Sequence, residues 1–144
     1  QNRRKSMVGY AFEGHLACLF YHHNLQFELG RGVNNVTENN SRPDFIFPSF
    51  AAYRDIKFPA ARLRMLGAKT TCKDRWRQVL SEADRIPAKH LVTLEAAISV
   101  AQLNEMRFHQ LQLVIPASIH ETYPAQNRDY LMSIASFIEM VKMM

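Results

Sequence analysis

The sequence predicts an α/β domain, a β-sheet covered by helices, and three observations carry that reading. After residue 60, short apolar runs alternate with segments of helical period, the pattern of strands connected through helices. Upstream, apolar residues recur at helical spacing between Val8 and His23. The length of 144 residues, 47% apolar and 22% charged, suits one domain able to bury roughly two-thirds of its unfolded surface.

The N-terminal helix is carried by Val8, Phe12, Leu16, Leu19, Phe20 and His23, with Ser6 as its N-cap and Asn24 as its end. Residues 30–41 are rich in Gly, Asn, Ser and Thr and read as turns. Phe45–Phe47 is a short strand bounded by Pro43 and Pro48, and residues 49–59, without a clean period, read as an irregular excursion. A strand follows over residues 64–71, interrupted by Gly67. Thr71-Cys72-Lys73-Asp74 resembles a capping box with Asp in place of Glu. It opens a helix containing Trp76, Val79, Leu80 and Ala83, which Pro87 stops. Residues 91–94 form a strand, 99–109 a helix, and 111–115 a strand ended by Pro116. The final helix covers residues 127–142, with Tyr130, Leu131, Ile134, Ile138 and Val141 as its apolar stripe. No repeat, low-complexity tract or linker divides the chain.

Composition narrows the function classes. No apolar run approaches the ~18 residues that span a membrane, and no secretory leader is visible. The net charge is +5, and eight of the eighteen Lys and Arg residues lie between Arg54 and Arg77, opposed there only by Asp55 and Asp74. Arg3-Arg4-Lys5 adds a second basic cluster. Such charge suits a polyanion, because neutralising phosphates releases condensed counterions; the alternative is a solvated basic face. Cys18 and Cys72 form no CxxC pair and have no zinc-like His spacing. Cys18 reads as a buried thiol, and a reducing, intracellular location follows. His15, His22 and His23 share no ligand-bearing face, Trp76 belongs to an apolar stripe, and Met140, Met143 and Met144 read as gap-filling.

The chemistry is carried by a few residues. Pro43-Asp44 opens a strand, and Lys69 lies on another about two dozen residues later. Phosphodiester hydrolysis needs a positioned water, a cation and help for the leaving oxygen. A divalent cation of the Mg²⁺ type takes one or two carboxylates plus carbonyls and water. Asp44 is the first carboxylate, and Glu82, thirteen residues beyond Lys69, is the candidate for the second. On a helix starting near Cys72, Arg75, Gln78 and Glu82 form one polar stripe beside the apolar one. An exposed Glu–Arg helical surface is the alternative.

These residues resemble the PD-(D/E)xK nucleases, in which an Asp or Glu stands two residues before the lysine. Here that position is Gly67. One branch of the superfamily carries its second carboxylate on the following helix, and Pro43-Asp44, Lys69 and Glu82 match its spacing. The run from Lys69 to Gln78 (KTTCKDRWRQ), with Arg42-Pro43-Asp44-Phe45, Tyr53, Leu63-Arg64-Met65-Leu66 and Val114-Ile115-Pro116, resembles the catalytic C-terminal domain of EcoRII-type restriction endonucleases. The resemblance covers nearly the whole chain.

It implies a restriction-endonuclease-like fold with a central mixed sheet flanked by helices. It implies a type II site-specific deoxyribonuclease that cuts double-stranded DNA with Mg²⁺, leaves 5′-phosphates, acts as a homodimer and works in the bacterial cytoplasm. A CCWGG-like site is the expected target. Asp44 and Glu82 become the metal ligands and Lys69 the catalytic lysine, with Tyr53 and Arg75 as further active-site residues. Glu13, at the edge of the first helix's apolar face, is another candidate, since an acidic residue on this helix is common in the fold. The chain does not begin with methionine and is read as one catalytic domain, residues 1–144, lacking the family's N-terminal effector domain. Two alternatives stay open: a structure-specific repair or recombination nuclease, and a DNA-binding module on the same fold that does not cut.

Overall fold

Alternate side chains of each strand point to opposite faces of the sheet, and two separate apolar cores follow from that alternation. The structure is a computed structural model that describes all residues except Gln1, Val33 and Asp74, and for residues 2–8 the backbone alone. Its elements are α1 (Asn2–His22), β1 (Glu28–Leu29), β2 (Phe45–Phe47), α2 (Phe50–Arg54), β3 (Arg64–Lys69), β4 (Lys89–Thr93), α3 (Val100–Phe108), β5 (Leu111–Val114) and α4 (Ile134–Lys142). Among the described residues the strands form one five-stranded sheet in the order β1-β2-β3-β4-β5. The β1–β2 and β2–β3 pairs are antiparallel, whereas β3–β4 and β4–β5 are parallel, so the sheet is mixed.

On one face, Phe45, Phe47, Leu66, Ala68, Val92 and Val114 pack against Leu16 and Phe20 of α1 and Phe137, Ile138 and Val141 of α4. On the other, Ile46, Met65, Leu91, Leu111 and Leu113 meet Phe50 and Tyr53 of α2, Leu103 and Met106 of α3, and Trp76 and Val79. The layer arrangement is the expected one: a mixed sheet flanked by helices. No helix among the described residues is long and apolar enough to cross a membrane.

Several elements differ from expectation for local reasons. Helix α1 begins at Asn2 rather than near Val8, because nothing in Arg3-Arg4-Lys5-Ser6-Met7 breaks a helix. The expected Ser6 cap, the basic cluster and the Val8 contact concern side chains outside the described residues, as does the Asp74 half of the capping box. Asn24 ends α1 at a positive φ of 61°. Cys18 is exposed, not buried, since α1 turns only its Leu16–Phe20 stripe to the sheet. The stretch expected to be irregular holds α2, too short to show a period, with Ser49 accepting from the Ala52 N–H at 3.0 Å.

The segment after Lys69 is a 3-10 helix, Arg75–Ser81, not the expected α-helix. Ala83, expected inside that helix, sits beyond its end at φ 52°. The last expected helix is broken as well. A 3-10 helix spans Ala125–Tyr130, then Met132 bonds to the edge of β5 (Met132 N–H to Leu113 O, 3.0 Å; Ile115 N–H to Met132 O, 2.8 Å). Helix α4 starts only after Ser133 caps it. Sheet pairing outcompetes helix continuation there, and Tyr130 and Leu131 reach the core without belonging to α4.

Two glycines are required by close approach. A Cβ on Gly30 would lie 2.0 Å from the Pro43 carbonyl oxygen, and the Gly30 N–H donates to Asp44 O at 3.1 Å. A Cβ on Gly67 would meet Val79 Cγ2 at 3.0 Å and Leu91 Cδ1 at 3.4 Å. We expect Gly67→Ala to cost about 1–3 kcal/mol through overpacking. The penalty should shrink when Val79→Ala is introduced with it, as measured by urea unfolding of the four proteins of the double-mutant cycle. Equal penalties in both backgrounds would count against this packing.

Candidate active site

Asp44 stands at the entry to β2, where pairing with β3 is ending. Continuing the Phe45–Leu66 register by one residue sets Asp44 opposite Gly67. The Asp44 carboxylate is half-buried, and its Oδ2 accepts from the Ala68 N–H at 2.7 Å. The side chain thus takes over a β3 donor where backbone pairing with β2 runs out. Burial raises the Asp44 pKa despite that bond and despite Lys69, a hydrogen bond with Glu13, and Arg31.

Glu13 reaches the same place from α1. Arg31 holds its Oε1 through Nε at 3.2 Å and Nη2 at 3.0 Å, and the guanidinium lies over the Tyr10 ring at 4.8 Å. Burial and then Asp44 raise the Glu13 pKa, with Arg31 and Lys69 opposing. Glu82 comes from the far side of the β3–β4 connection, and burial followed by repulsion from Asp44 pushes its pKa up to about 7, offset by Lys69 and Lys89. Each of these three carboxylates therefore feels Lys69, and Glu13 and Glu82 both feel Asp44.

The structure brings Asp44, Lys69 and Glu82 within electrostatic reach of one another, and Glu13 within reach of Asp44 and Lys69. Neither Tyr53 nor Arg75 is among the described groups that shift these carboxylates. Tyr53 is buried, its hydroxyl donating to Glu38 Oε1 at 2.5 Å and accepting from the Arg85 N–H at 3.0 Å, just past Glu82. Arg75 is exposed at the start of the 3-10 helix, its N–H donating to Cys72 O at 2.6 Å.

Sequence reasoning missed Arg31, Glu38, Lys89 and Glu95. Glu95 Oε1 accepts from the Cys72 and Lys73 N–H groups at 2.7 and 3.2 Å and so fixes the turn after Lys69. Only Lys89 left a trace in the sequence, a charge at the mouth of an apolar strand. The others act across 15 to 46 residues, beyond any local pattern.

The donor set has a definite chemistry. Among the described residues, no three His, Cys, Asp or Glu side chains group as a metal cage. Two half-buried carboxylates, Asp44 and Glu82, the first of which raises the proton affinity of the second, fit a hard divalent cation that takes one or two carboxylates.

Comparison with known proteins places the chain. The family pattern described as "EcoRII C terminal" matches residues 1–138. The type II restriction enzyme EcoRII of Escherichia coli is 50% identical over 137 residues, covering 95% of this chain and 33% of that protein. The chain thus spans about a third of the length of the curated relative it matches. Among solved structures, metal-depleted Ecl18kI in complex with uncleaved, modified DNA superposes with a TM-score of 0.77 at 22% identity, covering 98% of this chain and 45% of that one. The restriction endonuclease PspGI in its substrate DNA complex gives 0.76 at 17% identity, covering 99% and 63%. Both share this fold.

A pH dependence follows from Glu82. Its folded-state pKa of about 7 lies above its ordinary 4.5. Its contribution to metal-free stability is therefore complete below pH 4.5 and is lost as pH rises through 7. Chemical denaturation in chelator across this range should show stability falling, with Glu82→Gln removing on the order of 2 kcal/mol of that decline. An unchanged slope in the variant would rule out the buried placement of this carboxylate.

Proposed function

The chain belongs to the EcoRII C-terminal family, and from that premise we propose that it is the catalytic domain of a type II restriction endonuclease. It hydrolyses both strands of specific duplex DNA with Mg²⁺. The observation that carries this reading is the convergence of Asp44, Lys69 and Glu82 from three separate segments. The basic run from Arg54 to Arg77 supplies the charge that a phosphate backbone requires.

In this reading Asp44 and Glu82, with the Ala68 carbonyl, would hold Mg²⁺, which would supply Lewis-acid stabilisation of charge on the phosphate. The Lys69 ammonium orients the attacking water and offsets charge on the scissile phosphate. Water oxygen attacks phosphorus in line, the bond from phosphorus to the 3′ oxygen breaks, and that oxygen leaves with a proton. The products are a 5′-phosphate and a 3′-hydroxyl. Glu13, held by Arg31, stands near Asp44 and adds to the negative charge around it. Tyr53 acts from behind, through the turn that bears Glu82, and Arg75 contacts a phosphate from the surface.

Cutting both strands at a pseudo-palindromic site calls for a twofold homodimer, and the target is CCWGG-like. Digestion of plasmid with Mg²⁺, followed by sequencing of the ends, tests activity, site and cut position together. Asp44→Ala and Lys69→Ala should each lower the cleavage rate about 100- to 1000-fold. Undiminished cutting by either protein would sink the assignment.

A further inference from the structure

Glu82 occupies a place that no regular element fixes. It follows the last residue of the 3-10 helix, its N–H donating to Val79 O at 3.1 Å, and the chain then turns through Ala83 at φ 52°, a conformation costly for a residue with a Cβ. What holds this turn is a set of long-range bonds. Three consecutive backbone N–H groups each find a side-chain oxygen: Ala83 donates to Thr37 Oγ1 at 3.1 Å, Asp84 to Glu38 Oε1 at 3.3 Å, and Arg85 to the Tyr53 hydroxyl at 3.0 Å. From the opposite side, Lys89 Nζ donates to the carbonyls of Ala83, at 3.1 Å, and Ile86.

Lys89 is the unusual member. It opens β4 with only 6% of its surface exposed. A buried ammonium is desolvated, and burial lowers its pKa, while Asp84, Glu38 and Glu82 work the other way. An apolar residue at the mouth of a buried strand would avoid that desolvation. Its two carbonyl partners bracket the turn, so the side chain closes the loop on itself as Thr37, Glu38 and Tyr53 anchor it to the 37–53 region.

We propose that Lys89 and Glu38 are positioning residues for Glu82, fixing the turn at residues 82–86 so that the Glu82 carboxylate stands ready for a divalent cation. The inference rests on Glu82 being a metal ligand, as in the function proposed above. Neither residue touches the reacting atoms; both act through the backbone of the turn.

Binding of Mn²⁺, read from the free-ion signal in electron paramagnetic resonance, separates positioning from folding. Lys89→Met removes the donor at similar volume, and Glu38→Ala removes an exposed carboxylate. Both proteins should melt cooperatively and bind duplex DNA without metal as the parent does. Both should bind Mn²⁺ about 10- to 100-fold more weakly, with cleavage reduced in parallel at limiting Mg²⁺. Should Lys89→Met fail to fold, Glu38→Ala decides alone. Parental Mn²⁺ affinity in the folded variants overturns the proposal, provided that Glu82→Gln weakens binding in the same assay. If Glu82→Gln also binds Mn²⁺ as the parent does, the metal-ligand assignment falls, and the positioning role with it.

Discussion

The packing of Val79 into the space above Gly67 is the constraint on which the site depends. A side chain at residue 67 would run into Val79 and Leu91. Its absence lets the 3-10 helix Arg75–Ser81 settle on β3, with Trp76 and Val79 fully buried in the core beneath. Glu82 follows immediately, so the depth at which Val79 seats sets how far the carboxylate reaches toward Asp44. The glycine that breaks the usual spacing of strand acid and lysine is thus part of the support for the acid that stands elsewhere. A carboxylate placed at residue 67 would need the volume that Val79 now fills.

A carboxylate on a strand inherits its position from sheet pairing. Asp44 does so, through the Ala68 N–H and the Gly30 contact behind it. One on a turn has no such support and must obtain it by tertiary hydrogen bonds. The turn bearing Glu82 gains them from Thr37, Glu38, Tyr53 and Lys89, and the start of the same excursion gains its own from Glu95. Both ends of the β3–β4 connection are therefore tied down, although little of it is regular structure.

The same contrast explains what the sequence made legible. Strands β2 to β5 and helix α3 were readable because short apolar runs, proline boundaries and helical period are local signals. The meeting of Asp44, Lys69 and Glu82 was readable from spacing, but the route was not. A polar stripe on an α-helix pointed to Glu82, whereas the residue lies past a 3-10 helix, where that stripe does not exist. Apolar residues at 76, 79 and 80 satisfy either helix type, and the sheet contact that selects between them is not written locally. Tyr53 was noticed by resemblance alone. Its hydroxyl bonds to Glu38 and the Arg85 N–H span 15 and 32 residues, so no pattern in the chain could have revealed its partners.

Electrostatics gives the arrangement its direction. Asp44, Glu13 and Glu82 are each pushed toward the protonated form by burial, and repulsion from Asp44 adds to the effect on Glu13 and Glu82. Lys69, Arg31 and Lys89 offset this only in part. A fold that needed only stability would place apolar residues there, because half-buried like charges weaken the metal-free state. The two cores on either side of the sheet supply the stability that tolerates it. A cluster of this kind gains most from a cation, which would lower all three proton affinities at once. If the proposed metal site holds, the electrostatic strain of the metal-free protein and its affinity for a divalent ion would be one property, set by how deeply Val79 seats Glu82 near Asp44.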